Sequence, residues 1–141
     1  MQEKSSSDKL KLAVEKLKKH YDVHAVILFG SRAKGDHKPW SDYDLLIIAN
    51  FTERYLDRIG RLLEILDLGV NIEPHPYTLS EALEMLKRGS PTILDALSEG
   101  IILFESKKFE VIKKAYEELL KKGLRKSNVS YVLLEKEEST M

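Results

Sequence analysis

The sequence predicts an α+β domain, a small mixed β-sheet flanked by helices, on three observations. Two apolar runs, Val26-Ile27-Leu28-Phe29 and Leu45-Leu46-Ile47-Ile48-Ala49, are joined by a polar connection that contains glycine; each is too short for a buried helix and rich enough in branched residues to read as a strand. A strand, helix, strand passage then leads from Asp42 to Glu73, the length of a right-handed crossover between parallel strands. Outside these strands, apolar residues recur at helical spacing with charges between them.

At 141 residues the chain reads as one domain, 1–141, able to bury roughly two-thirds of its unfolded surface. Lysine plus arginine and aspartate plus glutamate are both 23, a net charge of zero, which argues against general nucleic-acid binding. Cysteine is absent, so disulfides and thiolate metal sites are excluded. The start, MQEKSSSDKLK, is polar and charged, and no long apolar stretch follows; the expectation is a cytoplasmic protein with no membrane segment.

In order, residues 1 to 6 read as a flexible start, and Leu10, Ala13, Val14, Leu17 and Tyr21 mark an amphipathic helix beginning at Ser7. The first strand stops at Gly30, and Ser31 reads as the cap of a short helical turn through Arg32, Ala33 and Lys34, closed by Gly35. Trp40, in the connection 36–41, fits either stacking on a base or holding the loop against the domain. Thr52 reads as the cap of a helix with Tyr55, Leu56, Ile59, Leu62, Leu63 and Leu66 on one side, and Gly69 as its exit. A strand carries Glu73 on its polar face. Pro74 and Pro76 strip N–H groups from one side of it, making that side an unpaired edge or an early end. His75, two residues beyond Glu73 on the same face, fits either a contact to substrate or the filling of that edge, and edge filling is the expectation.

Further on, Thr78-Leu79-Ser80-Glu81 opens a helix through Lys87, Gly89-Ser90-Pro91 starts a short one from Thr92 to Ser98, and Ile101 to Phe104 reads as the final strand. A last helix spans about Phe109 to Lys122. The segment 127–141 reads as flexible apart from an apolar patch at Val129, Tyr131, Val132, Leu133 and Leu134, suited either to completing the core or to binding a partner.

The chemistry concentrates between the first two strands. A glycine followed by a helix start leaves backbone N–H groups free for phosphate and lets a ligand approach the main chain. Asp42 and Asp44, two apart on a strand, share a face at the mouth of a buried element. Held that close they repel, and a hard divalent cation such as Mg²⁺, which takes one or two carboxylates with substrate phosphates, relieves both the repulsion and the desolvation. Antiparallel strands would set the phosphate corner opposite the carboxylates. Arg32 and Lys34 are candidate phosphate contacts, or plain surface charges after a turn.

Gly30-Ser31, ten intervening residues and then Asp42-Tyr43-Asp44, with GSRAKG in front and SDYDL behind, resembles the signature of the DNA polymerase beta nucleotidyltransferase superfamily. The size is similar to its minimal nucleotidyltransferases (MNT proteins). The resemblance implies the nucleotidyltransferase fold and a third carboxylate, for which the chain offers Glu73, one methylene longer than the more usual aspartate. It implies two Mg²⁺ ions held by Asp42, Asp44 and Glu73 as catalytic residues, and ATP held by its phosphates at Gly30 and Ser31, beside the candidate contacts Arg32 and Lys34. It also implies transfer of a nucleoside monophosphate, AMP in the leading reading, to a hydroxyl.

Because the chain has almost nothing beyond such a core, the expectation is that the acceptor binds through another subunit or is one. Minimal nucleotidyltransferases pair with helical HEPN toxins, and the expectation is AMP transfer to a HEPN tyrosine by an antitoxin. Two other readings share the motif: a small-molecule, aminoglycoside-type adenylyltransferase working as a homo-oligomer, and a non-catalytic antitoxin that neutralises its partner by contact.

Overall fold

The structure, a computed structural model, describes residues 5–126 and 131–133. A four-stranded sheet in the order β3-β2-β1-β4 forms its centre. The strands are β1 (Val23–Phe29), β2 (Tyr43–Ala49), β3 (Ile72–Tyr77) and β4 (Ile101–Glu105). β1 runs antiparallel to both β2 and β4, and β3 lies parallel to β2. The sheet is therefore mixed, as the two connections require: a short loop for the antiparallel pair and a crossover helix for the parallel one.

The helices cover both faces. α1 (Ser6–His20) and α3 (Tyr55–Ile65) lie on one side, where Leu10, Ala13, Leu17 and Leu62 join Val26, Leu28, Leu45 and Ile47 in one core cluster. On the other side lie α4 (Leu79–Lys87), α5 (Pro91–Glu99) and α6 (Glu110–Lys121), packed on Ala25, Ile27, Phe29, Leu46 and Ile48. The alternation along β2 divides neighbouring residues between the two clusters. Leu45, Leu46, Ile47 and Ile48 have no exposed surface at all, and each contributes about 1.5–3 kcal/mol by its burial. The candidate residues Asp42 and Asp44 stand at the start of this buried strand.

Several local details differ from the sequence expectation. α1 begins one residue early, capped by Ser5, whose hydroxyl accepts from the Asp8 amide at 3.2 Å. The turn α2 (Ser31–Lys34) is capped by Gly30, not Ser31; the positive φ of 77° at Gly30 makes the corner and places Ser31 already inside the helix. Thr52 does not cap α3, which starts after an extended Arg54. The Thr52 amide instead meets Glu53 Oε1 at 3.2 Å, and buried Phe51 fixes the chain ahead of the helix. Thr78 does cap α4, in a full capping box with Glu81.

β4 is not the last strand. After a 3₁₀ turn (Lys107–Phe109) and α6, β5 (Leu124–Lys126) and β6 (Tyr131–Leu133) pair antiparallel as a separate ribbon. Part of the patch at Tyr131, Val132 and Leu133 thus becomes strand, while Val129 and Leu134 lie outside the described residues. So do residues 1–4, 127–130 and 134–141, on which most of the expected flexible ends fall.

The edge expected of Pro74 and Pro76 is present. Tyr43 donates its amide to the Asn71 carbonyl at 2.8 Å, so odd-numbered residues of β3 turn their backbone groups to β2 and the prolines turn theirs outward. The outward Pro76 carbonyl accepts from Arg58 Nη1 at 3.3 Å. Arg58 is 6% exposed and also holds Glu81 Oε1 at 2.7 Å and the Glu53 carbonyl at 2.9 Å, tying α3, β3 and the start of α4 together.

Candidate active site

Strand pairing, not sequence proximity, assembles the site. β1 ends at Phe29 opposite Asp44, and Asp44 stands level with Glu73 on the parallel neighbour. The glycine corner after β1 and the carboxylates at the start of β2 and β3 therefore meet at one end of the sheet. Asp42 lies just before β2 and is exposed, sharing a cleft of about 470 Å³ with Glu73, His75, Tyr55, Ile59 and Leu63.

The corner is tight. A Cβ built on Gly30 would lie 2.6 Å from Asp44 Oδ2, so the backbone there passes closer to the carboxylate than any side chain would permit. The α2 turn closes with Ala33 and Lys34 amides donating to the Gly30 carbonyl at 3.1 and 3.2 Å. Gly35 follows in the left-handed region at φ 83° and donates to Ser31.

The carboxylates are crowded. Loss of hydration pushes the Glu73 carboxyl above its ordinary value, helped by a hydrogen bond and charge from Asp44 and by the charge of Asp42, while His75 works the other way. Carboxylates held this close on neighbouring strands match the donor set of a hard dication. One ligand atom each from Asp44, Glu73 and His75 lies within 4.8 Å of the other two. The residues present therefore fit a metal ion, with Asp42 beside them.

His75 is the residue that the sequence places least well. Its position beside two prolines reads as an edge, yet its Nε2 lies 3.1 Å from Asp44 Oδ1. The Phe29 ring meets the imidazole edge to face at 4.9 Å between centroids. The signal available in sequence was its spacing of two from Glu73, which puts both on one face.

Arg32 and Lys34 sit beside the corner but are engaged elsewhere. Arg32 donates to the Ser41 and Pro39 carbonyls, both at 3.1 Å, and its guanidinium covers the Tyr43 ring at 4.3 Å. It thereby fastens the 36–41 connection. Lys34 pairs with Asp95 and Glu99 on α5, each at 3.4 Å. Trp40 does not hold the connection to the domain: it is 76% exposed. The apolar side of α3 is also only half covered, with Leu56 79% and Leu63 51% exposed.

Known proteins resemble this chain in sequence and in fold. A family model described as "Nucleotidyltransferase domain" matches residues 8–139. A Methanocaldococcus jannaschii protein named "Putative protein adenylyltransferase MJ1305" is 32% identical over 148 residues, covering 97% of this chain and 95% of its own length. Among solved structures, one described as "a putative nucleotidyltransferase from Sulfolobus solfataricus" superposes with a TM-score of 0.51 at 20% identity, covering 72% of this chain and 81% of that one. A chain of a "toxin-antitoxin with AMP-PNP" superposes with a TM-score of 0.50 at 17% identity, covering 83% and 86%. These two likenesses carry the fold, whose mixed sheet and flanking helices agree with that expected from sequence. The chain belongs to the nucleotidyltransferase domain family, and it is a transferase enzyme.

Proposed function

We propose that this protein is a Mg²⁺-dependent adenylyltransferase that moves AMP from ATP to a tyrosine hydroxyl on a HEPN-type toxin partner, acting as its antitoxin in the cytoplasm. The observation that carries the reading is the level pairing of Asp44 with Glu73 on adjacent parallel strands, at the sheet end where Gly30 turns the chain. The M. jannaschii relative, whose name specifies protein adenylyltransfer, supports a polypeptide acceptor. So does the exposure of Leu56 and Leu63 beside the cleft, since apolar rims of this kind suit a macromolecular partner.

In this reading Asp42, Asp44 and Glu73 hold the cations, and Gly30 and Ser31 receive the β and γ phosphates at the corner. Two bound Mg²⁺ ions supply charge neutralisation at the transferred phosphoryl group and its leaving pyrophosphate. The acceptor oxygen forms a bond to the α phosphorus as the bond from that phosphorus to the bridging oxygen breaks. Pyrophosphate leaves, and Glu73, on the acceptor side, is placed to take the hydroxyl proton. Arg32 and Lys34 reach the triphosphate after exchanging their present partners, the Ser41 and Pro39 carbonyls and the Tyr43 ring for Arg32 and Asp95 and Glu99 for Lys34.

The test is transfer of label from α-³²P ATP with Mg²⁺ into host-cell extract, comparing wild type with Asp42→Asn. A labelled protein band seen with wild type alone supports the reading and gives the partner's mass. Label found only in small molecules points to the aminoglycoside type, and a partner captured without label points to neutralisation by contact.

A further inference from the structure

Asp44 offers its two carboxylate oxygens in different directions. Oδ2 faces Gly30, where no Cβ intervenes, and Oδ1 lies 3.1 Å from His75 Nε2. That contact is a hydrogen bond in the metal-free protein, and its length also matches the roughly 3 Å between adjacent donor atoms around an octahedral cation with bonds of about 2.1 Å. Glu73 completes the group, with all three donor atoms within 4.8 Å of one another. It is the one such group of three among the described residues.

The imidazole is held for this purpose. Phe29, the last residue of β1, meets its ring edge to face at 64°, and the side chain keeps 21% of its surface exposed. Pro74 and Pro76 on either side are buried, which fixes the strand beneath it.

We propose that Asp44, Glu73 and His75 form a mixed nitrogen and oxygen cation site whose His75 ligand raises its affinity for first-row transition dications relative to that for Mg²⁺. Magnesium takes oxygen donors and gains little from imidazole. Cobalt, nickel and zinc gain a strong bond from it. The inference rests on the reading of Asp44 and Glu73 as the cation-holding pair, and it adds that the ion bound there is chosen by a nitrogen ligand.

The experiment uses the full chain without nucleotide at neutral pH. Co²⁺ and Mg²⁺ affinities are measured by calorimetry for wild type, His75→Ala, His75→Gln and Asp44→Asn, with folding checked by circular dichroism. Pulsed electron paramagnetic resonance on Mn²⁺-loaded protein reads nitrogen coupling directly. The expected result is imidazole nitrogen coupling in wild type and its loss in both His75 variants. Co²⁺ affinity falls about tenfold or more in those variants while Mg²⁺ affinity changes by less than about threefold. Absence of nitrogen coupling in wild type, or an unchanged Co²⁺ to Mg²⁺ ratio in the His75 variants, overturns the inference. If Asp44→Asn then still abolishes metal binding and AMP transfer, the transferase reading stands without it. If Asp44→Asn keeps both, that reading falls as well.

Discussion

Gly30 and Asp44 occupy space that only a glycine backbone leaves open: a Cβ on Gly30 would stand 2.6 Å from Asp44 Oδ2. The corner glycine and the second carboxylate of the motif are thus two halves of one steric fit. Gly30 also holds φ 77° with ψ −157°, a region nearly closed to other residues. Gly30→Ala must displace the carboxylate, distort the turn, or both. We expect a stability loss of about 1–3 kcal/mol by chemical denaturation and a fall of about 100-fold in AMP transfer, the usual effect of misplacing a reacting group by about 1 Å. Near-normal transfer in this variant would count against the corner as the phosphate site.

Asp44→Asn separates chemistry from folding. Asp44 raises Glu73 through charge and a hydrogen bond, so removing its charge relieves repulsion in the metal-free protein. The variant is expected to melt no lower than wild type at neutral pH without metal, and to lose transfer by at least about 100-fold. Asp42→Asn follows the same pattern, and Glu73→Gln loses transfer to a similar extent. A large drop in melting temperature for Asp44→Asn would show that its role is structural.

Arg58 is expected to dominate the stability of the α3, β3 and α4 junction. Replacing it by methionine strands the Pro76 and Glu53 carbonyls, together with Glu81, at a cost of about 2 kcal/mol. Its pH dependence has a defined sign. Arg58, by hydrogen bond and charge, holds Glu81 below the usual 4.5. That stabilisation is fully present above about 4.5 and is lost as pH falls through the depressed folded value. Urea titrations from pH 7 to pH 3 should show this decline in wild type and a flatter profile in Arg58→Met.

Gly100 carries a different constraint. Its φ of −76° is ordinary, but an added Cβ would overlap the Ala96 carbonyl oxygen and approach Ile27 Cγ2 to 2.6 Å. Gly100→Ala is expected to cost about 1–3 kcal/mol by overpacking where α5 meets β1. Metal affinity measured by calorimetry should stay unchanged, because the overlap lies away from the carboxylate end of β2.

Most of the frame was legible because it follows from periodicity and connection length. The apolar runs at Val26 and Leu45 and the crossover to Glu73 dictate an antiparallel pair and a parallel one, which bring Asp44 level with Glu73. Caps were less legible. At Ser31 and Thr52 a favoured capping residue lies beside the helix start, yet the backbone angles of Gly30 and Arg54 decide where each helix begins. An apolar stripe likewise says nothing of what covers it, so Leu56 and Leu63 read as core while standing exposed. Arg32, Lys34 and His75 show the limit for polar side chains. Their partners Ser41, Asp95 and Asp44 are set by tertiary geometry that no local spacing encodes.

The outward row of β3 has a consequence for assembly. With Pro74 and Pro76 lacking donors on that side and the Pro76 carbonyl already taken by Arg58, the sheet cannot be lengthened past the strand that bears Glu73. Any visiting polypeptide must come to the carboxylates by its side chains. It cannot add itself there as a further strand and bury the reactive end. The opposite margin, at β4, contains no proline, so the two borders of the sheet are unequal. The one that bears Glu73 is closed to strand addition, and growth of that kind is confined to the other.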